Sequence, residues 1–171
     1  MSGNVAMLVV MGVSGVGKTT LGEALAARLG WAFIDGDALH PQANIDKMSA
    51  GIPLTDADRG PWLESVAAWI DARREENRPG VVTCSALKRA YRDLLDDGRP
   101  QVCFVYIQLD QADVADRMSH RKGHFFAQSL LASQFADLEE PQADEPVIVV
   151  DGAQTIPAQV DAVVERVNDP A

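Results

Sequence analysis

Gly12-Val13-Ser14-Gly15-Val16-Gly17-Lys18-Thr19 reads G-x-x-x-x-G-K-T, and its flanks decide the fold as much as the octapeptide does. A continuous apolar run over 6–11 precedes it and a helical pattern over 19–29 follows, so the motif sits on a strand-to-helix turn. Glycines there let backbone N–H groups converge on phosphate oxygens, and the following helix adds the partial positive charge of its N-terminus. In that setting Lys18 reaches the β- and γ-phosphates of a nucleotide and Thr19 presents a hydroxyl to Mg²⁺. The expected phosphate-binding residues are Gly12, Val13, Ser14, Gly15, Val16, Gly17, Lys18, Thr19 and the adjacent Thr20.

Beyond this motif, short continuously apolar runs recur at 32–34, 81–84, 102–109 and 147–150. Runs of this kind suit parallel strands covered on both faces. Helical patterns alternate with them at 61–76, 86–95, 112–118, 127–138 and 157–167. The alternation predicts right-handed crossovers and a doubly wound α/β sheet in one domain spanning 1–171. Two stretches depart from it. One, about 38–60, is rich in Pro, Gly, Asn and Asp and lies where a substrate-binding insertion would be placed; the other, about 117–128, carries basic and aromatic residues around Gly123, as a mobile lid would.

The 171 residues hold 25 Asp+Glu against 15 Lys+Arg, a formal net charge of −10. Such a chain repels a nucleic-acid backbone at long range, which disfavours a polyanionic partner. It leaves small anions open, because a local cluster of cations outweighs the global charge within a Debye length of roughly 8–10 Å. Nine of the fifteen cations (Lys18, Lys47, Arg59, Lys88, Arg89, Arg92, Arg117, Arg121, Lys122) fall in or beside the candidate site segments, so they are expected to gather at one cleft. Cys84 and Cys103 lie in apolar, β-like runs without metal-ligand spacing, which reads as reduced buried thiols in a cytoplasmic protein. The N-terminal run lacks a basic flank and is interrupted by Gly12, so neither a signal peptide nor a membrane span is expected.

The phosphate loop alone does not separate a kinase from a GTPase, a motor ATPase or a regulatory switch. No Asn-Lys-x-Asp segment for guanine occurs, and the strand ending at Cys84 has no carboxylate at its tip. Carboxylates end the second strand instead, in Phe33-Ile34-Asp35-Gly36-Asp37, where extended chain would point Asp35 and Asp37 to the same side. One would orient Mg²⁺ and the other would accept the proton of an attacking hydroxyl. Lys88 and Arg92, four apart, are expected on one helix face beside the loop, unless Asp93 and Asp96 hold them as a solvated pair. Arg117 and Arg121 have the same spacing, with Asp113 a possible structural partner for Arg117. Asp58 reads as an N-cap and Pro61 as an early helical residue of a stripe Trp62, Val66, Trp69, Ile70 suited to a core or a subunit contact. Arg59, at the positive end of that helix, needs an anion to hold it, either a ligand or an Asp; His40 reads equally as a ligand or a satisfied loop histidine.

Taken together, the segments resemble the gluconate kinase (gluconokinase) family of small P-loop kinases, similar in fold to shikimate kinase. The stretches that carry the resemblance are MGVSGVGKT (11–19), FIDGDALHPQANIDKMSAGIPLTDADRGPWL (33–63), CSALKRAYRDLL (84–95), RKGHFFAQSLLASQFADLEEP (121–141) and VVD (149–151). The resemblance implies ATP- and Mg²⁺-dependent phosphorylation of D-gluconate at its terminal hydroxyl, a five-stranded parallel sheet of order 2-3-1-4-5, a lid and a homodimer. It implies catalytic roles for Lys18, Asp37 and Arg121, with Thr19 and Asp35 on the metal side. His40, Asn44, Lys47, Arg59, Lys88, Arg92 and His124 fall at positions expected around the sugar acid. Arg117, Arg121 and Lys122 fall at positions expected around ATP. Val16 and Thr19 depart mildly from the family pattern, and the generic tail leaves the adenine contact to 151–154. Two other readings compete. A kinase of another small polyol acid or of shikimate is opposed by the 40–59 segment, which follows the gluconokinase pattern, and a catalytically silent nucleotide-binding module by the joint presence of Lys18, Thr19, Asp37 and a basic lid.

Overall fold

In the chain's computed structural model, residues 5–119 and 130–168 are described. Five strands, β1 (Met7–Met11), β2 (Ala32–Asp35), β3 (Gly80–Thr83), β4 (Val102–Gln108) and β5 (Val147–Asp151), form one sheet of order β2-β3-β1-β4-β5. Every pairing is parallel. The order is the one implied by the resemblance. Because β1 lies between β3 and β4, the chain leaves it at the topological switch point, where open α/β sheets bind ligands outside the strands' carboxyl ends.

The continuous apolar strands are explained by two cores. Along β1, Leu8 and Val10 pack on one side with Leu21 and Leu25 of α1 (Lys18–Leu29) and Val160, Val163 and Val164 of α7 (Ile156–Asn168). Met7, Val9 and Met11 pack on the other with Trp62, Leu63, Val66 and Ile70 of α3 (Asp56–Glu75) and Tyr91 and Leu95 of α4 (Arg89–Asp96). Strand alternation thus divides an unbroken hydrophobic run between two faces, and a polar residue on either face would be buried. Cys84 and Cys103 are buried as expected, and burial pushes their thiols up to about 12 and about 11. The stripe of α3 is core: Trp62, Val66 and Ile70 are buried, and Trp69 packs over Gly80.

Among the described residues the other elements are a short 3-10 turn (Gly36–Leu39), α2 (Gln42–Ser49), α5 (Gln111–Ser119) and α6 (Leu131–Asp137). One additional helix and two helix starts are the main differences from the sequence reading. The insertion contains α2, which its Pro-, Asn- and Asp-rich composition hid. Helix α3 starts at Asp56, with Thr55 as its N-cap: the Asp58 N–H donates to the Thr55 hydroxyl at 3.1 Å and the Thr55 N–H to the Asp58 carboxylate at 2.9 Å. Asp58 is therefore the third helical residue of a capping box, and Pro61 lies inside the helix. Helix α4 starts at Arg89, because Ala86 has φ +46° and cannot continue a helix. Most of the expected lid, 120–128, lies outside the described residues.

Candidate active site

The phosphate loop leaves β1 and enters α1 through three left-handed or extended-positive glycines, Gly12 (φ +144°), Gly15 (φ +90°) and Gly17 (φ +100°). At Gly15 a Cβ would also come within 2.8 Å of Met118. Gly17 is the N-cap of α1, no side chain caps that helix, and its first turn has no acidic residue. The N–H groups and partial positive charge at this end are thereby left for an anion. Lys18 Nζ donates to the Gly12 and Val13 carbonyls at 2.8 and 3.2 Å, arched back over the loop. The Ser14 N–H donates to Oε1 of Gln134 on α6 at 2.7 Å. Val16 is buried in the α1–α7 core, which accounts for an apolar residue there; Thr20 is exposed on the first turn of α1.

Thr19 and Asp35 come together as expected of a metal-side pair: the Thr19 hydroxyl lies 3.1 Å from Asp35 Oδ2. The other oxygen, Oδ1, accepts from the Asp37 N–H and the Thr83 hydroxyl, both at 2.9 Å. Asp35 and Asp37 do not share a strand face. Asp35 ends β2 and caps the 3-10 turn that contains Asp37. Only glycine fits between them, since a Cβ at Gly36 would lie 1.8 Å from the Thr83 carbonyl oxygen. A hydroxyl and a carboxylate are hard oxygen donors that suit Mg²⁺, which keeps most of its ligands as water or phosphate.

Asp37 lines a cleft of ≈ 550 Å³, open to solvent, together with Ser14, Lys18, His40, Arg59, Trp62 and Ser85. His40 is buried, stacks on Trp62 with ring centroids 4.1 Å apart, and approaches Asp37 Oδ1 with Nε2 at 4.0 Å. Burial, helped by the positive charge of Arg59, lowers its pKa to about 4, so at neutral pH it is uncharged. Asn44 Nδ2 lies 3.2 Å from His40 Nδ1 and donates to the Asp58 carbonyl at 2.9 Å. An amide donor at Nδ1 selects the tautomer with hydrogen on Nε2, facing Asp37. Trp62 in turn donates Nε1–H to the Gly36 carbonyl at 2.8 Å. His40 is a satisfied histidine, and its ring also lines the cleft. Arg59 is buried, donating to the Tyr91 hydroxyl at 3.0 Å and pairing with Asp137 of α6 at 3.1 Å. Asp137 is thus the anion that holds a cation at this positive helix end, while the Tyr91 hydroxyl also bonds Asp56.

Four of the expected acceptor residues are committed elsewhere. Asn44 is buried beside α3. Lys47 Nζ contacts both carboxylate oxygens of Asp58 at 2.9 and 3.0 Å. Lys88 is the N-cap of α4, not a helix-face partner of Arg92, and pairs with Asp56 at 3.1 Å. Arg92 is buried with all five N–H donors spent: on the Ala86, Leu87 and Glu139 carbonyls and on both oxygens of Glu145. It clamps the Ala86 turn and has nothing left for a ligand. Its neighbour Arg89 pairs with Asp144. The expectation that nine cations gather at the cleft therefore fails; among the described residues Lys18 and Arg59 are the cations lining it. Arg117 donates to the Gly152 and Val16 carbonyls at 2.7 and 3.5 Å, rather than pairing with Asp113, and so ties the phosphate loop to the turn after β5. Arg121, Lys122 and His124 lie outside the described residues. Sequence reading missed Gln134, Ser133, Ser85 and Asp137; the first, second and fourth lie in the quoted 121–141 stretch at helical spacing.

A parallel sheet in this order, a lysine-bearing phosphate loop at its switch point and a carboxylate beside that lysine define a small-molecule P-loop kinase. Residues 7–141 match the family described as "AAA domain". The chain is 54% identical over 145 residues to the gluconokinase of Gluconobacter oxydans, covering 85% of this chain and 82% of that protein. It superposes on the crystal structure of a gluconokinase from Sinorhizobium meliloti with a TM-score of 0.86 at 46% identity, covering 95% of this chain and 91% of the other. Shikimate kinase from Aquifex aeolicus shares the fold, with a TM-score of 0.62 at 15% identity, covering 95% of this chain and 96% of the other. The chain belongs to the gluconokinase family.

Proposed function

We propose that the protein transfers the γ-phosphoryl group of ATP to the terminal hydroxyl of D-gluconate, giving 6-phospho-D-gluconate and ADP. The observation that carries this reading is the shared cleft, in which the phosphate loop with Lys18, the carboxylate of Asp37 and the guanidinium of Arg59 meet. A sugar acid presents a hydroxyl at one end and a carboxylate at the other. Those are the two groups that an acidic acceptor and a buried cation recognise. Gluconokinases related to the chain support the choice of acid.

In this reading Asp37 accepts the proton of the hydroxyl as its oxygen attacks the γ-phosphorus, and the bond to the ADP oxygen breaks. Lys18 leaves the Gly12 and Val13 carbonyls to follow the charge onto the phosphate oxygens. Neutral His40, braced by Asn44 and Trp62, holds Asp37 from the side. Thr19 and Asp35 are the residues that would hold Mg²⁺, which when bound neutralises the β- and γ-oxygens. Arg59 takes the gluconate carboxylate. Arg117 and the turn at 151–154 belong to the nucleotide side, and Arg121, Lys122 and His124, next along the chain from α5, are assigned to the closing of the site over ATP and acid. Arg121 is then the cation that meets the transferring phosphoryl group, a contact of a kind worth about 10³–10⁵ in rate. No helix among the described residues is long and apolar enough to cross a membrane. A homodimer in the cytoplasm completes the reading and rests on the family resemblance.

The test is ADP release in a coupled assay over a panel of sugar acids and shikimate. Turnover with gluconate well above the others is expected. Turnover of a different acid alone would replace the substrate, and ATP binding without turnover of any acid would leave a silent module.

A further inference from the structure

The cradle formed by residues 12–19 already holds an oxygen. Gln134 Oε1 accepts the Ser14 N–H at 2.7 Å across 120 residues of sequence, and Gln134 lines the same cleft as Lys18 and Asp37. In a phosphate loop of this kind the backbone N–H groups are the groups that receive phosphate oxygens. A neutral carboxamide oxygen supplied by α6 satisfies one of them instead. One turn on, Asp137 of the same helix pairs with Arg59 at 3.1 Å. A single face of α6 therefore places one polar side chain on the nucleotide cradle and another on the acceptor cation.

We propose that Gln134 is a built-in occupant of the phosphate cradle, standing where a nucleotide phosphate oxygen binds, so that ATP must displace it from Ser14. Filling the cradle this way keeps a partly buried N–H from being orphaned without ligand. The same contact lowers affinity for any anion that competes for it. Displacement also loosens α6 at the residue one turn before Asp137, which makes nucleotide binding felt at Arg59. A net contribution of about 0.5–1.5 kcal/mol for a neutral hydrogen bond corresponds to an affinity effect of roughly 2- to 12-fold. A carboxylate in place of the carboxamide would hold the N–H about twice as strongly and repel the triphosphate.

The proposal rests on the reading of the loop as an ATP site but not on the acceptor, so it is tested without gluconate. Binding of a non-hydrolysable ATP analogue with Mg²⁺ is titrated calorimetrically to the full chain and to Gln134→Ala, Gln134→Asn and Gln134→Glu, each checked for an unchanged thermal transition. Gln134→Ala and Gln134→Asn, too short to reach Ser14, are expected to bind the analogue about 3- to 10-fold tighter, and Gln134→Glu at least about 10-fold weaker. With gluconate turnover as a second readout, Gln134→Ala should lower the ATP KM. Unchanged or weaker binding in Gln134→Ala and Gln134→Asn would overturn the proposal, as would a large loss of kcat, which would make Gln134 a ligand of the transferring group. If the wild-type chain did not bind the analogue, the ATP reading would fall with it. If it bound the analogue but did not turn over gluconate, only the acceptor assignment would fall.

Discussion

Arg59 and Arg92 look alike in the sequence, two arginines in segments near the phosphate loop, yet their surroundings give them different work. Arg59 meets a phenol and a carboxylate and lines the cleft; Arg92 has every donor consumed by carbonyls and Glu145. Replacing Arg59 by Ala is therefore expected to raise the KM for gluconate by at least about 10-fold, the lost charge-assisted pair being worth roughly 1.5–3 kcal/mol, with a smaller change for ATP. Equal changes in both would remove Arg59 from carboxylate recognition. His40 makes a prediction about pH. The folded protein keeps it neutral down to about pH 4, because burial and the charge of Arg59 oppose its protonation. The unfolded chain takes up that proton near pH 6.5, so in between the unfolded state binds more protons and stability falls as pH falls. The contribution is complete above about pH 6.5 and lost by about pH 4, amounting to as much as roughly 3 kcal/mol. Denaturant titrations between pH 7 and 4.5 should show this slope in the wild type and a flatter one in His40→Gln; parallel slopes would dissociate His40 from it.

At the scale of elements, the site is assembled by chain turns more than by helix faces. The strained Ala86 turn, φ +46°, lies between Ser85, which lines the cleft, and α4, and Arg92 grips its carbonyls. Arg92→Ala would leave Glu145, whose side chain is 4% exposed, without its cation and the turn without its clamp. Breaking a buried pair of this kind costs about 3–5 kcal/mol, so the melting temperature should drop steeply. At a temperature where the variant is folded, its KM for gluconate should stay near the wild-type value. A raised KM with unchanged stability would restore Arg92 to the substrate site. Helix α3 shows why such detail is hard to see in a sequence: Asp58 has the residue type of a cap, but Thr55 with Asp58 three residues on forms the reciprocal box, and Pro61, a residue type common at helix starts, lies inside the helix. Helix α2 was concealed by the turn-forming residues around it.

For the whole molecule, the octapeptide and the runs of β-length apolar residues were enough to predict a doubly wound sheet, because that pattern has few other solutions. Strand order came through the family likeness, since periodicity carries no information on which strands are neighbours. Thr19, Asp35, Asp37, His40 and Arg59 were legible as residue types suited to phosphoryl transfer. Gln134 on Ser14, Asp137 on Arg59 and Glu145 on Arg92 were not, because each partnership joins positions at least 53 apart and arises only when α6 and the segment after it fold over the sheet. The charge also reads differently once placed. Net −10 remains an argument against a polyanionic partner, but the excess carboxylates hold Lys47, Arg59, Lys88, Arg89 and Arg92 in ion pairs. Lys18, at the phosphate loop, and Arg59, among the acceptor residues, are the cations that line the described cleft. In the function proposed, this cleft transfers a phosphoryl group from the Lys18 side to a hydroxyl held by Asp37. Steady-state kinetics of Asp37→Asn with ATP and gluconate, on protein whose melting temperature matches the wild type, test it most directly. A kcat at least about 10²-fold lower with a near-normal KM for ATP is expected; a near-normal kcat would take Asp37 out of the transfer.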